Sequence, residues 1–250
     1  MAETINIQNL VKSFPIEIKK HEGALAKILK IIRGKGRTER RIVLKDISFN
    51  VNEREVLGLI GKNGSGKSTL LRVIADIYTK DSGKVRTIGK VVYLNGFNNG
   101  LKDRLTMKEN IFLMGSILGL SQKKIKARFN EIVEFSGLKE NIYDKLYQFS
   151  DGMISRLAFS ITVHCLKHNT PDIILLDEVF GSGADLEFQE KAINKMEELI
   201  KSGATVIISS HNLEIIEKYC NKVIWLDKGE VREIGLAKKI AKRYEENEKQ

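Results

Sequence analysis

The chain is poor in the residues that staple or stiffen a small fold. Among 250 residues there are 2 cysteines, 2 prolines and 1 tryptophan. Cys165 and Cys220 stand alone, with no CxxC or Cys/His spacing around them. Neither a disulfide framework nor a zinc site is therefore expected, and both thiols are read as packing residues, since free Cys behaves as a small buried hydrophobe. Long apolar runs are missing too. The longest are short, such as Ile173 to Leu176, whereas a membrane-spanning helix needs about 20 mainly apolar residues, so no bilayer crossing is expected. The opening residues, MAETINIQNLVKSF, hold no basic leader followed by an apolar block, which makes the expected location cytoplasmic rather than secreted. What is present is enough for a core: 42% of residues are hydrophobic, and the 30% that are charged are spread along the chain. Global disorder is excluded on that composition, and the length fits one large domain or two small ones. Lys plus Arg number 42 against 32 Asp plus Glu, a net charge of +10, which keeps nucleic acid and anionic membrane in view as partners.

Runs rich in Val and Ile at 4–8, 42–50, 55–60, 84–93, 172–177, 204–209 and 222–227 predict strands. Helical periodicity covers 67–77, 106–118, 122–136, 153–168 and 186–201. The runs at 172–176 and 204–208 read as continuous apolar stretches, uninterrupted from Ile173 to Leu176 and from Val206 to Ile208, the pattern of parallel strands buried on both faces. Together these predict an α/β fold. Residues from about 98 to 168 are almost wholly helical in pattern and read as a helical subdomain inserted into it. One segment, 15–41, differs from both parts, with nine Lys or Arg, three Glu and a Gly-rich basic end.

Residues 61–68 read GKNGSGKS, between the strand EVLGLI and the helix LLRVIADIY. Strand, glycine loop and helix in this order bind nucleotide phosphates. Gly61, Gly64 and Gly66 permit turns closed to other residues and let backbone N–H groups approach anionic oxygens, with a helix N-terminus behind them. Lys67 supplies a cation to the outer phosphates and Ser68 a hydroxyl to Mg²⁺, and Asn63, Ser65 and Thr69 complete the candidate nucleotide contacts. The run DIILLDE at 172–178 delivers Asp177 and Glu178 at the C-terminal end of a buried strand, where open α/β sheets bind ligands. Asp177 is the candidate Mg²⁺ ligand, direct or through water, and Glu178 the residue that polarises the attacking water.

With FSDGM at 149–153 opening a helix just upstream of the acidic strand, the chain resembles the ATP-binding cassette (ABC) ATPases, whose LSGGQ-like signature stands there. The resemblance implies a P-loop NTPase fold of the ABC type, a single domain over 1–250 with an inserted helical subdomain and a small antiparallel β subdomain. It implies ATP and Mg²⁺ as ligands and a homodimer in which Ser150, Asp151 and Gly152 of one copy face the γ-phosphate held by the other. His211, after the strand ATVIISS, matches the family's switch histidine. Asp185, after GSGA, matches the loop aspartate that faces across the dimer, and Phe14 stands about where the family stacks a ring on adenine. The sequence departs from the family at VVYLNGFNNG, which holds no glutamine where most members have one. Asn95 is the nearest amide. FSDGM differs from LSGGQ at its first, third and fifth positions.

The NGFN turn, SDGM followed by RLAF, and DEVF running into EFQEK resemble the ATPase subunits of polysaccharide exporters. That resemblance implies an ATPase driving lipid-linked O-antigen, or alternatively teichoic acid or capsule, across the inner membrane. It also implies two integral membrane permease subunits as partners and a peripheral position on the cytoplasmic face, with no nucleic acid expected. Members of this branch carry an insertion where 15–41 lies. Read on its own residues, that segment places Ala24, Leu25, Ile28, Leu29 and Ile32 on one helical face, with Lys19, Lys20, Arg33 and Lys35 flanking it. Such a helix suits an anionic membrane surface, or else packs on the domain's own sheet with a solvated basic edge. A polar helix at about 236–250 ends the sequence, and no carbohydrate-binding domain follows it, so glycan length is expected to be controlled elsewhere. The rival readings are a nucleic-acid-associated cassette ATPase, a non-hydrolysing adaptor, and an importer or drug-exporter subunit.

Overall fold

The computed structural model describes residues 2–16, 39–95, 100–166, 171–178, 186–201 and 203–248. In chain order they form β1 (Glu3–Pro15), β2 (Arg40–Asn52), β3 (Val56–Ile60), α1 (Lys67–Ile74), β4 (Ser82–Thr87), β5 (Val91–Asn95), α2 (Met107–Ile117), α3 (Gln122–Ser136), α4 (Asp151–Leu166), β6 (Ile173–Asp177), α5 (Leu186–Ile200), β7 (Thr205–Ser209), α6 (Leu213–Tyr219), β8 (Lys222–Asp227), β9 (Glu230–Leu236) and α7 (Ala237–Glu248). The basic segment falls mostly outside the described residues, as do Asp185 and the rest of the NGFN turn beyond Asn95.

A three-stranded antiparallel sheet has the order β2-β1-β4, and a six-stranded sheet the order β5-β6-β7-β3-β8-β9. The larger sheet is parallel except at the β8–β9 edge. Its central strands are apolar along their middle, at Ile173–Leu176 and Val206–Ile208, because both faces are covered. Ile174, Leu176, Val206 and Ile208 pack into one core with the helices α4 to α7. Their strand neighbours Ile173, Leu175 and Ile207 point the other way, into a second core shared with α1 and the antiparallel sheet. The α/β class with a small antiparallel sheet is thus the fold the chain adopts.

A third core lies among α2, α3 and α4. Thr106 and Glu109 cap α2 reciprocally, side chain to backbone in both directions, which satisfies two of the N–H groups a helix start leaves open. The helix α4 serves two cores at once. Ala158, Phe159, Val163 and Leu166 face the sheet, while Leu157, Ile161 and Cys165, spaced four apart, face α2 and α3. Its polar residues turn back on the helix itself: Ser160 Oγ donates to Arg156 O at 2.6 Å and Thr162 Oγ1 to Ala158 O at 2.8 Å. Both cysteines are buried, and burial pushes their thiols up, to about 11 for Cys165 and about 12 for Cys220.

The sequence pattern merges two strands into one. The run 84–93 is not continuous: it divides into β4, in the antiparallel sheet, and β5, at the edge of the parallel one. Gly89, with φ at +100°, makes the change of sheet, and a Cβ there would stand 2.5 Å from the Asp172 side chain. That side chain accepts a hydrogen bond from Lys90 N at 2.6 Å. Apolar content predicts a strand but not a change of sheet within it. Other differences are that α6 and β9 lie outside the predicted runs, that β1 runs from Glu3 to Pro15 where the pattern marks 4–8, and that α1 stops at Ile74, before a left-handed turn at Asp76. Gly89→Ala is expected to cost about 1–3 kcal/mol of stability through positive φ and crowding, read as a lower urea midpoint at unchanged slope. An unchanged midpoint would show that the crossing tolerates a side chain.

Candidate nucleotide site

Register places the site. Asn95, Asp177, Ser209 and Leu59 pair in one row across β5, β6, β7 and β3, so the strands end together and their C-terminal ends form one edge. From β3 the chain enters the glycine loop at Gly61, two residues beyond that row. Gly61, with φ at +148°, lies so close to β8 that a Cβ would meet Leu226 O at 2.1 Å. Gly66, with φ at +110°, is the residue from which α1 starts. The loop therefore needs glycine for backbone clearance, and α1 needs it for its first turn.

Lys67 is 6% exposed, and its Nζ donates to Gly61 O at 2.6 Å and to Lys62 O at 3.3 Å. Burial pulls the ammonium below its ordinary range, opposed by the charges of Glu178 and Asp177. Asp177 is 1% exposed and its Oδ2 accepts from Tyr93 Oη at 2.8 Å, while Oδ1 has no hydrogen-bond partner. The hydroxyls of Ser65 and Ser209, equally buried, also lack partners. Buried polar atoms are nearly always satisfied, so a cluster of bare oxygens beside a buried cation fits a polar ligand and a metal ion that bring the missing partners.

Glu178 follows at φ +53°, its N–H bonded to Ser209 O at 3.0 Å. A non-glycine residue holds this left-handed geometry at about 1–2 kcal/mol. His211 Nε2 stands 3.1 Å from Glu178 Oε1, close but without the alignment of a hydrogen bond. A cleft of about 440 Å³ is lined by Asn63, Gly64, Gly66, Lys67, Ser68 and Thr69 together with Phe14, Arg41, Val43, Glu178 and His211. Phe14 packs edge-on against Tyr78, centroids 5.4 Å apart, and has Lys12 Nζ 4.9 Å from its ring.

Most sequence-selected residues thus meet at one edge. Ser150, Asp151 and Gly152 are not among those lining the cleft; they stand at the start of α4, with Ser150 Oγ accepting from Met153 N at 3.3 Å. Asn95 is beside Asp177 in register and not in the cleft lining. Sequence reasoning passed over Arg41, at the exit of the basic segment, and Tyr93. No spacing marks Tyr93, whose link to Asp177 crosses between strands. Burial pushes its phenol up to about 12, Arg72 opposing and Asp177 reinforcing the shift.

A glycine loop, a buried lysine and an acidic strand end gathered on the carboxyl edge of a parallel sheet hold a nucleotide by its phosphates, which makes the chain a P-loop nucleotide-binding protein. The sequence model for ABC transporters matches residues 44–181. The O-antigen export system ATP-binding protein RfbB of Klebsiella pneumoniae is 35% identical over 254 residues, 98% of this chain and 99% of that protein. The teichoic acids export ATP-binding protein TagH of Bacillus anthracis is 38% identical over 208 residues, 83% of this chain and 37% of that protein. Among solved structures, a dimeric post-hydrolysis ATP-binding cassette bound to ADP and Pi superposes with a TM-score of 0.69 at 23% identity, covering 93% of this chain and 98% of that one. The chain belongs to the ABC transporter family. It is an ATPase of that family and binds ATP. Lys67→Met is expected to weaken ATP binding about 10- to 100-fold, the loss of a charged hydrogen-bond donor. Titration with a fluorescent ATP analogue checks this, and equal affinity would remove Lys67 from the site.

Proposed function

We propose that the chain is the ATP-hydrolysing subunit of an exporter of lipid-linked polysaccharide, with O-antigen as the favoured cargo. The observation that carries this reading is the likeness to an O-antigen export subunit along nearly the whole of both chains. Likeness to a teichoic acid export subunit keeps a second cargo of the same chemical class open.

In this reading Gly61 to Thr69 cradle the triphosphate, Lys67 neutralises its outer charge and Phe14 takes the adenine ring. Asp177 and Ser68 are the residues that would hold Mg²⁺, which when bound neutralises phosphate oxygens. Glu178 accepts a proton from the attacking water, and His211 beside it contacts the γ-phosphate. Asn95 stands in for the family's glutamine. Ser150, Asp151 and Gly152, which are not among the residues lining the cleft of their own chain, are assigned by the family resemblance to ATP held by a second copy, and Asp185, outside the described residues, is assigned to the same junction. The homodimer then works on two integral membrane permease subunits. Among the described residues no helix is long and apolar enough to cross a membrane. A peripheral position on the cytoplasmic face of the inner membrane belongs to the same reading, through the likeness to an export-system ATP-binding protein. The basic segment 15–41 adds attraction to an anionic surface, at about 1 kcal/mol per Lys or Arg near it. The domain boundaries, one cassette over 1–250 with its helical part near 98–168 and a C-terminal helix near 236–250, belong to the same proposal.

Removing a general base typically costs about 10²- to 10⁴-fold in rate, so Glu178→Gln is expected to lose ATP turnover by that order while still binding ATP. Turnover at the parental rate would overturn the role of Glu178. The same variant, tagged and purified from detergent-solubilised host membranes, is expected to carry a polysaccharide-exporter permease in stoichiometric amount by mass spectrometry. Recovery with ribosomes or DNA, or only from the soluble fraction, would refute export and leave the ATPase standing.

A further inference from the structure

The acidic strand end and the ring in the cleft are joined by side chains that belong to neither the glycine loop nor β6. Tyr93 on β5 donates its hydroxyl to Asp177 Oδ2 at 2.8 Å and accepts from Arg72 Nε at 3.2 Å. Arg72 lies on α1, the helix that begins with Lys67. Its Nη1 donates to Tyr78 Oη at 3.1 Å, with the guanidinium 5.6 Å from the centre of the Tyr78 ring. Tyr78 in turn meets Phe14 edge-on.

The direction of each bond is fixed by what the groups can do. A guanidinium only donates and an ionised carboxylate only accepts. The phenolic oxygen of Tyr93 therefore takes the Arg72 proton, and its own single proton is left for Asp177. One carboxylate oxygen is thereby anchored while the other, Oδ1, has no hydrogen-bond partner. Because Arg72 and Lys67 share a helix, the brace ties the carboxylate to the same rigid element that carries the phosphate-binding lysine.

We infer that Tyr93 is a positioning residue for the metal site: its hydroxyl, locked by Arg72, holds Asp177 by Oδ2 and presents Oδ1 to Mg²⁺. The inference rests on the reading above in which Asp177 holds that ion. Partners of a metal-binding carboxylate set its orientation and basicity, and their loss typically weakens metal binding about 10- to 100-fold. Tyr93→Phe keeps the ring and removes only the hydroxyl. Arg72→Met keeps the hydroxyl and frees it to turn.

The test uses the full chain carrying Glu178→Gln, so that turnover does not consume the nucleotide, with ATP and with Mn²⁺ as a paramagnetic stand-in for Mg²⁺. Free Mn²⁺ is counted by electron paramagnetic resonance, and ATP affinity without metal is measured in parallel. Adding Tyr93→Phe is expected to weaken Mn²⁺ binding about tenfold with metal-free ATP binding unchanged, and Arg72→Met to weaken it less. A merely structural hydroxyl would lower the melting temperature and metal-free ATP binding together; that pattern, or parental Mn²⁺ affinity in Tyr93→Phe, overturns the inference. Should Tyr93→Phe fail to fold, Arg72→Met is read in the same way, and parental Mn²⁺ affinity there overturns it. Asp177→Asn separates the two levels: if it leaves Mn²⁺ binding untouched, the reading of Asp177 falls, whereas an effect of Asp177→Asn without one of Tyr93→Phe removes Tyr93 alone.

Discussion

Parallel strands that stop in the same row set what this molecule can do. With Asn95, Asp177, Ser209 and Leu59 in register, the loops leaving β5, β6, β7 and β3 start from nearly a common level, and chemistry-bearing residues far apart in sequence meet within one cleft. The row is held because both faces of the sheet are buried. A slip of one residue would turn Ile174 and Leu176 out of one core and into the other, so the packing that stabilises the sheet also fixes the site. Gly61 adds a second restriction, since the loop passes so near β8 that only a residue without Cβ fits. The cradle is thus shaped by backbone clearance, and its side chains are added to a path already determined.

The helix α4 carries that rigidity outward. One face belongs to the sheet core and the opposite face to the core of α2 and α3, so movement of the signature residues at its start displaces packing on both sides. Close-packed interiors transmit such shifts rather than absorb them. In the proposed dimer, a triphosphate drawn against Ser150, Asp151 and Gly152 would therefore move the helical part as a body, a physical route from nucleotide to membrane partner.

Legibility in the sequence followed the range of the interaction. The loop GKNGSGKS and the strand DIILLDE are local, each a contiguous pattern of turn, apolar run and charge, and the structure brings Lys67 and Glu178 into one cleft with His211, a strand end away. Phe14 was assigned through resemblance to a family, and its ring does line that cleft. What stayed hidden is non-local. The change of sheet at Gly89 depends on Asp172, far along the chain, and the link from Tyr93 to Asp177 depends on two strands lying side by side. Neither leaves a spacing to find. Asp185 and the centre of the basic segment lie outside the described residues, so their placement rests on sequence alone.

Charge balance explains why the site needs partners from outside the chain. Lys67 is buried and spends its protons on loop carbonyls, while Asp177, buried still more deeply, keeps one oxygen bare. Burial lowers the affinity of Lys67 for its proton, and the two carboxylates restore part of it. A triphosphate entering the cleft meets the cations Arg41 and Lys67 but also the Glu178 carboxylate, with Asp177 buried at the neighbouring strand end, and repulsion from these carboxylates acts in a medium of low dielectric. Were Asp177 to hold a divalent cation, as proposed, the same carboxylate would turn from an obstacle into an anchor, since a bound cation inverts the local charge. In the proposed arrangement Asp177 would hold the ion and Lys67 would turn from Gly61 O to the phosphates, leaving Glu178, on its strained turn beside His211, as the carboxylate not given to the ion.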